Sequence, residues 1–245
     1  MKKVLALLLF AFAAHAQTEP DYSTWTRLLK TYYDPARGMN YAALKAHDAA
    51  TLENLKESLG RVNANALNPK QRLAYWINVY NINTVATIVE NYPVKSIRDL
   101  SGDPLIFTVF KKKRIPFLDD TLSLDDVENK RIRDVFHDPR IHFAINCAAK
   151  SCPPIRSAAY NGASVDAQLD DQVRTFLAGT RMTRDGGMLV VHVTKIMDWF
   201  DADFGDKTAF LRKYLPADKQ KLIDAANGKI ELAYDDYDWT LNDRR

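Results

Sequence analysis

Apolar positions in the first third of the chain recur every three or four residues, the period of a helix lying on a core. Tyr22, Trp25, Leu28, Leu29, Tyr32 and Tyr33 form such a stripe over residues 22–33, and Asp34-Pro35 with Gly38 ends it. Leu52, Leu55 and Leu59 share one face of a second helix over about 48–59. A third helix is bounded by chemistry as well as by period. Asn68 supplies a cap, Pro69 suits the first helical position, and no breaker follows until Pro93, which predicts a helix over 69–91. Its apolar residues, from Leu73 and Trp76 through Tyr80 and Ile82 to Val89, cover more than one face. A helix apolar nearly all round is buried, so this one is expected at the centre of the fold.

After Asp103-Pro104 the pattern changes. Leu105 to Phe110 and Arg114 to Leu118 are rich in β-formers and flank the basic run Lys111-Lys112-Lys113, which predicts a hairpin with a solvated tip. Ser123 followed by Asp126 is a capping signature for a short helix through about 136. Arg140 to Asn146 reads as a strand, Val165 to Leu177 as a helix, and Met188 to Val193, after Gly186-Gly187, as a second strand. Residues 207–214 and about 217–226 read as helices, and Lys229 to Tyr234 as a final strand. There is no internal repeat and no linker rich in Gly, Ser or Pro. The expected class is α+β: a helical N-terminal part with a buried central helix packed on a mixed, mainly antiparallel sheet.

The first sixteen residues stand apart. Lys2 and Lys3 precede an apolar run from Val4 to Ala14, and Ala14-His15-Ala16 has the small-residue pattern of a cleavage site. That run is shorter than the roughly 20 residues a spanning helix needs. The expectation is a removed signal peptide at 1–16 and a periplasmic or secreted domain at 17–245, with no transmembrane segment after cleavage. The formal charge of +3 falls to near +1 once Lys2 and Lys3 are removed, so nothing calls for a nucleic acid partner. Apolar residues at 47% and aromatics at 11% support a packed core, which two cysteines in 245 residues could not replace.

Both cysteines lie in His142-Phe-Ala-Ile-Asn-Cys147-Ala-Ala-Lys-Ser-Cys152-Pro-Pro154. Two chemistries fit this stretch. In the first, Cys147 is a thiolate nucleophile at a helix start, favoured by the helix dipole and by Lys150, and His142 is its base. Glu128, Asn78 or Asn146 would orient the imidazole. In the second, Cys147 and Cys152 form a structural disulfide suited to an oxidising compartment. On a straight strand His142 and Cys147 would stand about 16 Å apart, so contact between them requires a bend at Asn146–Ala148. A cysteine pair with one histidine lacks the paired spacing of a zinc site, so neither a metal nor a cofactor is expected. Trp199, Phe200, Asp203 and Phe204 form an aromatic and acidic cluster that reads as core or as a substrate platform.

Tyr75-Trp-Ile-Asn-Val-Tyr-Asn81, Tyr92-Pro-Val-Lys-Ser-Ile97, Leu122 to Glu128, Asp138 to Cys147, Ser151-Cys-Pro153 and Tyr160, in that order, resemble the bacterial domain-of-unknown-function 547 family over about residues 65–180. The resemblance brings no activity with it. It implies that the position of Cys147 is kept more widely than that of Cys152, which points to Cys147 as nucleophile and away from an obligatory bridge. Two functions therefore stand side by side. One is a thiol-dependent hydrolase or acyl transferase acting on peptide or amide bonds, with Cys147, His142, Glu128 and Asn78 catalytic. The other is a non-catalytic domain binding a peptide or small molecule, with Asn146, Cys152, Trp76 and Tyr80 at its site.

Overall fold

The computed structural model describes residues 18–102 and 108–244. The expected leader at 1–16 and residues 105–107 of the expected hairpin lie outside them. The fold is α+β, with helices first and mainly antiparallel strand pairs after them. Helix α1 (Ser23–Tyr32) buries Trp25, Leu28, Leu29 and Tyr32, the stripe expected from its spacing. Helix α2 (Tyr41–Gly60) begins earlier than the leucine pattern suggests, because Asn40 caps it and the chain kinks at Asp48. Asp48 is held there by Arg27 and by the Tyr32 hydroxyl at 2.7 Å.

Helix α3 (Pro69–Asn91) has its expected bounds. Asn68 accepts from the Gln71 backbone at 3.0 Å, and the Gln71 side chain accepts from the Asn68 backbone at 3.2 Å, a reciprocal capping box. Every residue from Leu73 to Val89 is buried. Trp76 packs on Tyr75 and on Phe117, with ring centroids 4.8 and 5.0 Å away. Phe117 belongs to strand β1 (Ile115–Phe117), which pairs antiparallel with β2 (Asp120–Leu122).

That hairpin corrects the expected one. Residues Thr108–Lys111 are a helical turn, and the lysines lead into β1 instead of forming a tip between two strands. The tip is Leu118-Asp119, with Leu118 at a positive φ of 51°. Tight two-residue hairpin loops need such backbone angles, and a leucine gives no sequence signal for them. Gly60 lets the end of α2 meet the hairpin, since a Cβ there would lie 2.7 Å from the Pro116 carbonyl oxygen.

A second correction concerns residues 140–146, which are not a strand. Pro139–Phe143 form a 3₁₀ turn capped by Asp138, whose carboxylate accepts from the Arg140 backbone at 3.0 Å. An Asp-Pro helix start outweighed the β-propensity of Ile141 and Ile145. The helix after Ser123 opens with the expected Ser123–Asp126 exchange, but its Asp126–Arg133 portion is π-helical.

Helix α4 (Val165–Leu177) leads to a three-stranded sheet of β3 (Arg181–Asp185), β4 (Met188–Val193) and, after helices α5 (Lys207–Tyr214) and α6 (Ala217–Ala225), β5 (Ile230–Tyr234). β3 and β4 are antiparallel and β4 and β5 parallel, with Arg181 opposite His192 and Leu189 opposite Ile230. β3 was not expected because Arg181, Thr183, Arg184 and Asp185 hide its pattern, as charges often do on an edge strand.

The buried residues form two clusters. One surrounds α3 and holds α1, α2 and the β1–β2 hairpin; the other joins α4, α5 and the three-stranded sheet through Phe143, Val173, Val191 and Phe204. The 3₁₀ turn lies between them, sending Ile141 to the first cluster and Phe143 to the second. The C-terminal strap then crosses back over the first half. Leu241 donates to Lys95, Asn242 to Ala148 and Arg244 to Met39 through their backbones. No helix among the described residues is long and apolar enough to cross a membrane.

Replacing Trp76 by alanine should cost about 3–5 kcal/mol in denaturant titration, as for other buried aromatic truncations. A loss below about 1 kcal/mol would mean that α3 does not carry the first core.

Candidate functional site

The site is built on irregular chain, so its backbone groups need partners from elsewhere. Two asparagines of α3 provide them. Asn78 donates to the Tyr160 carbonyl at 2.8 Å and accepts from its N–H at 3.0 Å. Asn81, one turn on, donates to the Ala144 carbonyl at 2.9 Å and accepts from the Asn146 N–H at 2.8 Å. Asn146 continues the chain of amides, donating to the Pro153 carbonyl and accepting from the Ala148 N–H, both at 2.8 Å. Ala148 sits at φ +63°, which reverses the chain just where contact between its two ends requires a bend.

The bend does not join Cys147 to His142. Cys147 is disulfide-bonded to Cys152, with Cα atoms 6.3 Å apart, so neither sulfur is a thiol. The Tyr237 hydroxyl lies 3.1 Å from the Cys147 sulfur and donates to that of Cys152 at 3.0 Å. Burial raises the Tyr237 pKa, keeping it a donor. The expected thiol–imidazole pair is therefore absent, and the structural bridge is the chemistry present.

His142 has another partner. Its Nε2 lies 2.7 Å from Asp203 Oδ2, and its ring stacks on Phe200 with centroids 4.1 Å apart. Asp203 also receives two bonds from Arg133, at 2.7 and 2.9 Å. That pairing holds the Asp203 carboxyl below the usual carboxylate range. Desolvation lowers the His142 pKa to about 4, outweighing the pull of Asp203. The imidazole is thus neutral near pH 7, with the Nε2 proton directed at the carboxylate.

His142, Arg133, Phe200 and Cys147 face a pocket of about 620 Å³. Six aromatic rings line it: Tyr80, Phe110, Trp199, Phe200, Tyr237 and Trp239. Trp199, Tyr237 and Trp239 touch one another, with centroids 4.8–5.9 Å apart, and Trp199 is 46% exposed at the edge. The polar side comes from the π-helical stretch and the residue before it, which put Asp125, Glu128, Asn129 and Arg133 on the pocket wall. A wider helical turn brings side chains four and five apart into line, and such segments recur at functional sites. Glu128 Oε2 accepts from the Tyr80 hydroxyl at 3.2 Å. Desolvation raises the Glu128 pKa to about 7; Asp125 and Asp203 push the same way, while Tyr80 and Arg133 oppose.

Of the residues singled out from sequence, Cys147, His142, Glu128 and Tyr80 line this pocket. Asn78, Asn146, Cys152 and Trp76 do not. Asn78 and Asn146 pair with loop backbone, Cys152 lies behind Cys147 in the bridge, and Trp76 is in the first core. Sequence reasoning did not find Asp203 as the partner of His142, nor Arg133, Tyr237 or Trp239. The acidic and aromatic run from Trp199 to Phe204 was the one local signal, and it could not say which residue it would meet. Among the described residues, no group of three or more His, Cys, Asp and Glu could hold a metal ion.

Residues 64–177 match the model of a family described as a protein of unknown function, DUF547. The match covers α3, the π-helical stretch, the disulfide loop and α4, but not the segments carrying Trp199, Tyr237 and Trp239. No curated protein and no solved structure matches the chain.

The Glu128 carboxyl should lower stability at alkaline pH. Its folded pKa of about 7 lies above the unfolded 4.5, so its contribution is intact below about 4.5 and is lost as pH rises through 7. Glu128→Gln should therefore gain about 2–3 kcal/mol over wild type near pH 8 and little near pH 4. His142, with the opposite sign, loses stability as pH falls from 6.5 towards 4, and cancels in this comparison. Equal denaturation midpoints at both pH values would show that Glu128 is solvated.

Proposed function

We propose that the protein is an exported, non-catalytic binding domain whose aromatic pocket holds a small ligand or a short peptide. The observation that carries this reading is the Cys147–Cys152 disulfide in the pocket wall: the sulfur a thiol enzyme would use is already bonded and faces a tyrosine hydroxyl. A concave, largely apolar site with a few fixed polar groups is the usual form of a small-molecule pocket. The stability cost of a half-buried, desolvated Glu128 supports the same reading, since groups that weaken a fold are commonly held for function. A disulfide also suits an oxidising compartment, and residues 1–16 have the pattern of an export leader.

Thiol titration tests the first part. Native protein prepared without reductant should show no reactive thiol, and protein unfolded in reductant should show two. Two thiols in the native protein, one of them fast-reacting, would return the enzyme reading. Mass spectrometry of the secreted or periplasmic form should find a chain beginning at or next to Gln17. Recovery of the intact chain from the cytoplasm would remove the export part of the proposal.

A further inference from the structure

The pocket has a chemical sign. Asp125 and Glu128 stand on its wall, and among the described residues neither forms an ion pair. Of the cations on that helix only Arg133 lines the pocket, and it is engaged by Asp203 through two bonds and lies over Phe200 at 4.7 Å; Lys130 pairs with Asp126 and Arg131 lies over Trp76 and Phe117. Lys111 lines the opening but is solvent-exposed, where salt and water screen it. His142 is neutral near pH 7. The pocket therefore offers two carboxyl groups that form no ion pair among the described residues, beside a wall of aromatic faces. Each aromatic face carries negative charge density and attracts a cation that sheds its water easily.

Resting on the binding reading above, we infer that the ligand is a small organic cation carrying an alkylated ammonium group. The cationic head would sit against the Trp199 and Tyr237 faces, Arg98 already lying over Trp239 at 5.4 Å, with its charge answered by Glu128 and Asp125. An alkylated ammonium suits such a site better than a bare ammonium, because it has a lower dehydration cost and needs no hydrogen-bond acceptors. An uncharged sugar ring could also stack on the tryptophans, but it would leave both carboxyl groups without a counter-charge. Binding of the cation would favour ionised Glu128 and release its proton. Asp125, Arg133, Asp203, Tyr80, Tyr237, His142 and Lys111 are the other titratable or charged groups around that carboxyl.

The test uses choline and dimethylbutanol, its uncharged tert-butyl isostere, titrated into the disulfide-bonded protein and read by calorimetry and tryptophan fluorescence. Choline should bind at least about tenfold more tightly than the isostere near pH 8. Its affinity should fall as pH drops through about 7, where Glu128 takes up its proton. Glu128→Gln, which keeps the shape of the side chain, should erase most of the preference for choline while leaving the isostere's affinity in place. Trp199→Ala should weaken both probes. Equal affinity for the two probes overturns the cation inference and leaves the pocket reading standing, and a choline preference that survives Glu128→Gln overturns the assignment of Glu128 as its counter-charge. Binding of both probes unchanged by Trp199→Ala overturns the pocket reading as well. No binding of choline at millimolar concentration overturns the cation inference alone.

Discussion

The architecture depends on a constraint from hydrogen bonding more than on any single apolar contact. Between Phe136 and α4, the chain runs through more than twenty residues with only a short 3₁₀ turn, and much of it is buried. Buried backbone groups outside helix and sheet are costly unless another group pairs with them, roughly 1–3 kcal/mol for each left unmet. Asn78 and Asn81 meet this need. Each presents an amide donor and acceptor from the central helix to a segment that has no regular partner of its own. The primary amide copies the backbone's own pattern, so α3 serves the loops much as a neighbouring strand would. Asn146 and Asn242 extend the same chemistry to the disulfide loop and the C-terminal strap.

Once that loop is fixed, the pocket follows. The 3₁₀ turn directs Phe143 into the second cluster and His142 beneath Phe200, and the bend at Ala148 brings the disulfide beside Tyr237. The bridge closes a short loop, so its effect on the unfolded chain is modest beside that of a long-range crosslink. Its local effect is to give the wall two hydrogen-bond acceptors that a tyrosine hydroxyl can reach. The polar groups are divided unevenly. Arg133, Asp203 and His142 satisfy one another, and among the described residues Asp125 and Glu128 form no ion pair. A carboxylate without an ion-pair partner would favour a cation over an anion in such a pocket.

Local signals in the sequence determined much of the scaffold. The α3 bounds, the stripe of α1, α4, β4 and the Ser123 cap were all legible, because each arises from periodicity or capping within a few residues. The failures were also local, and each has a competing rule behind it. At residues 140–146 an Asp-Pro start prevailed over alternating β-branched residues; at Leu118 a left-handed turn was made by a residue that gives no sign of it.

The presence of Cys147, His142, Glu128 and Tyr80 at one site was readable as a set of chemically capable residues, but their roles were not. The sequence determined which side chains were available and which helix would be buried. The tertiary structure alone decided that the two sulfurs bond to each other, that His142 meets Asp203 across 61 positions, and that Tyr237 reaches Cys147 across 90. Helical period and capping act over one turn of chain. The partner of a side chain at such distances depends instead on how the two clusters pack and where the C-terminal strap crosses between them, and no local pattern encodes that.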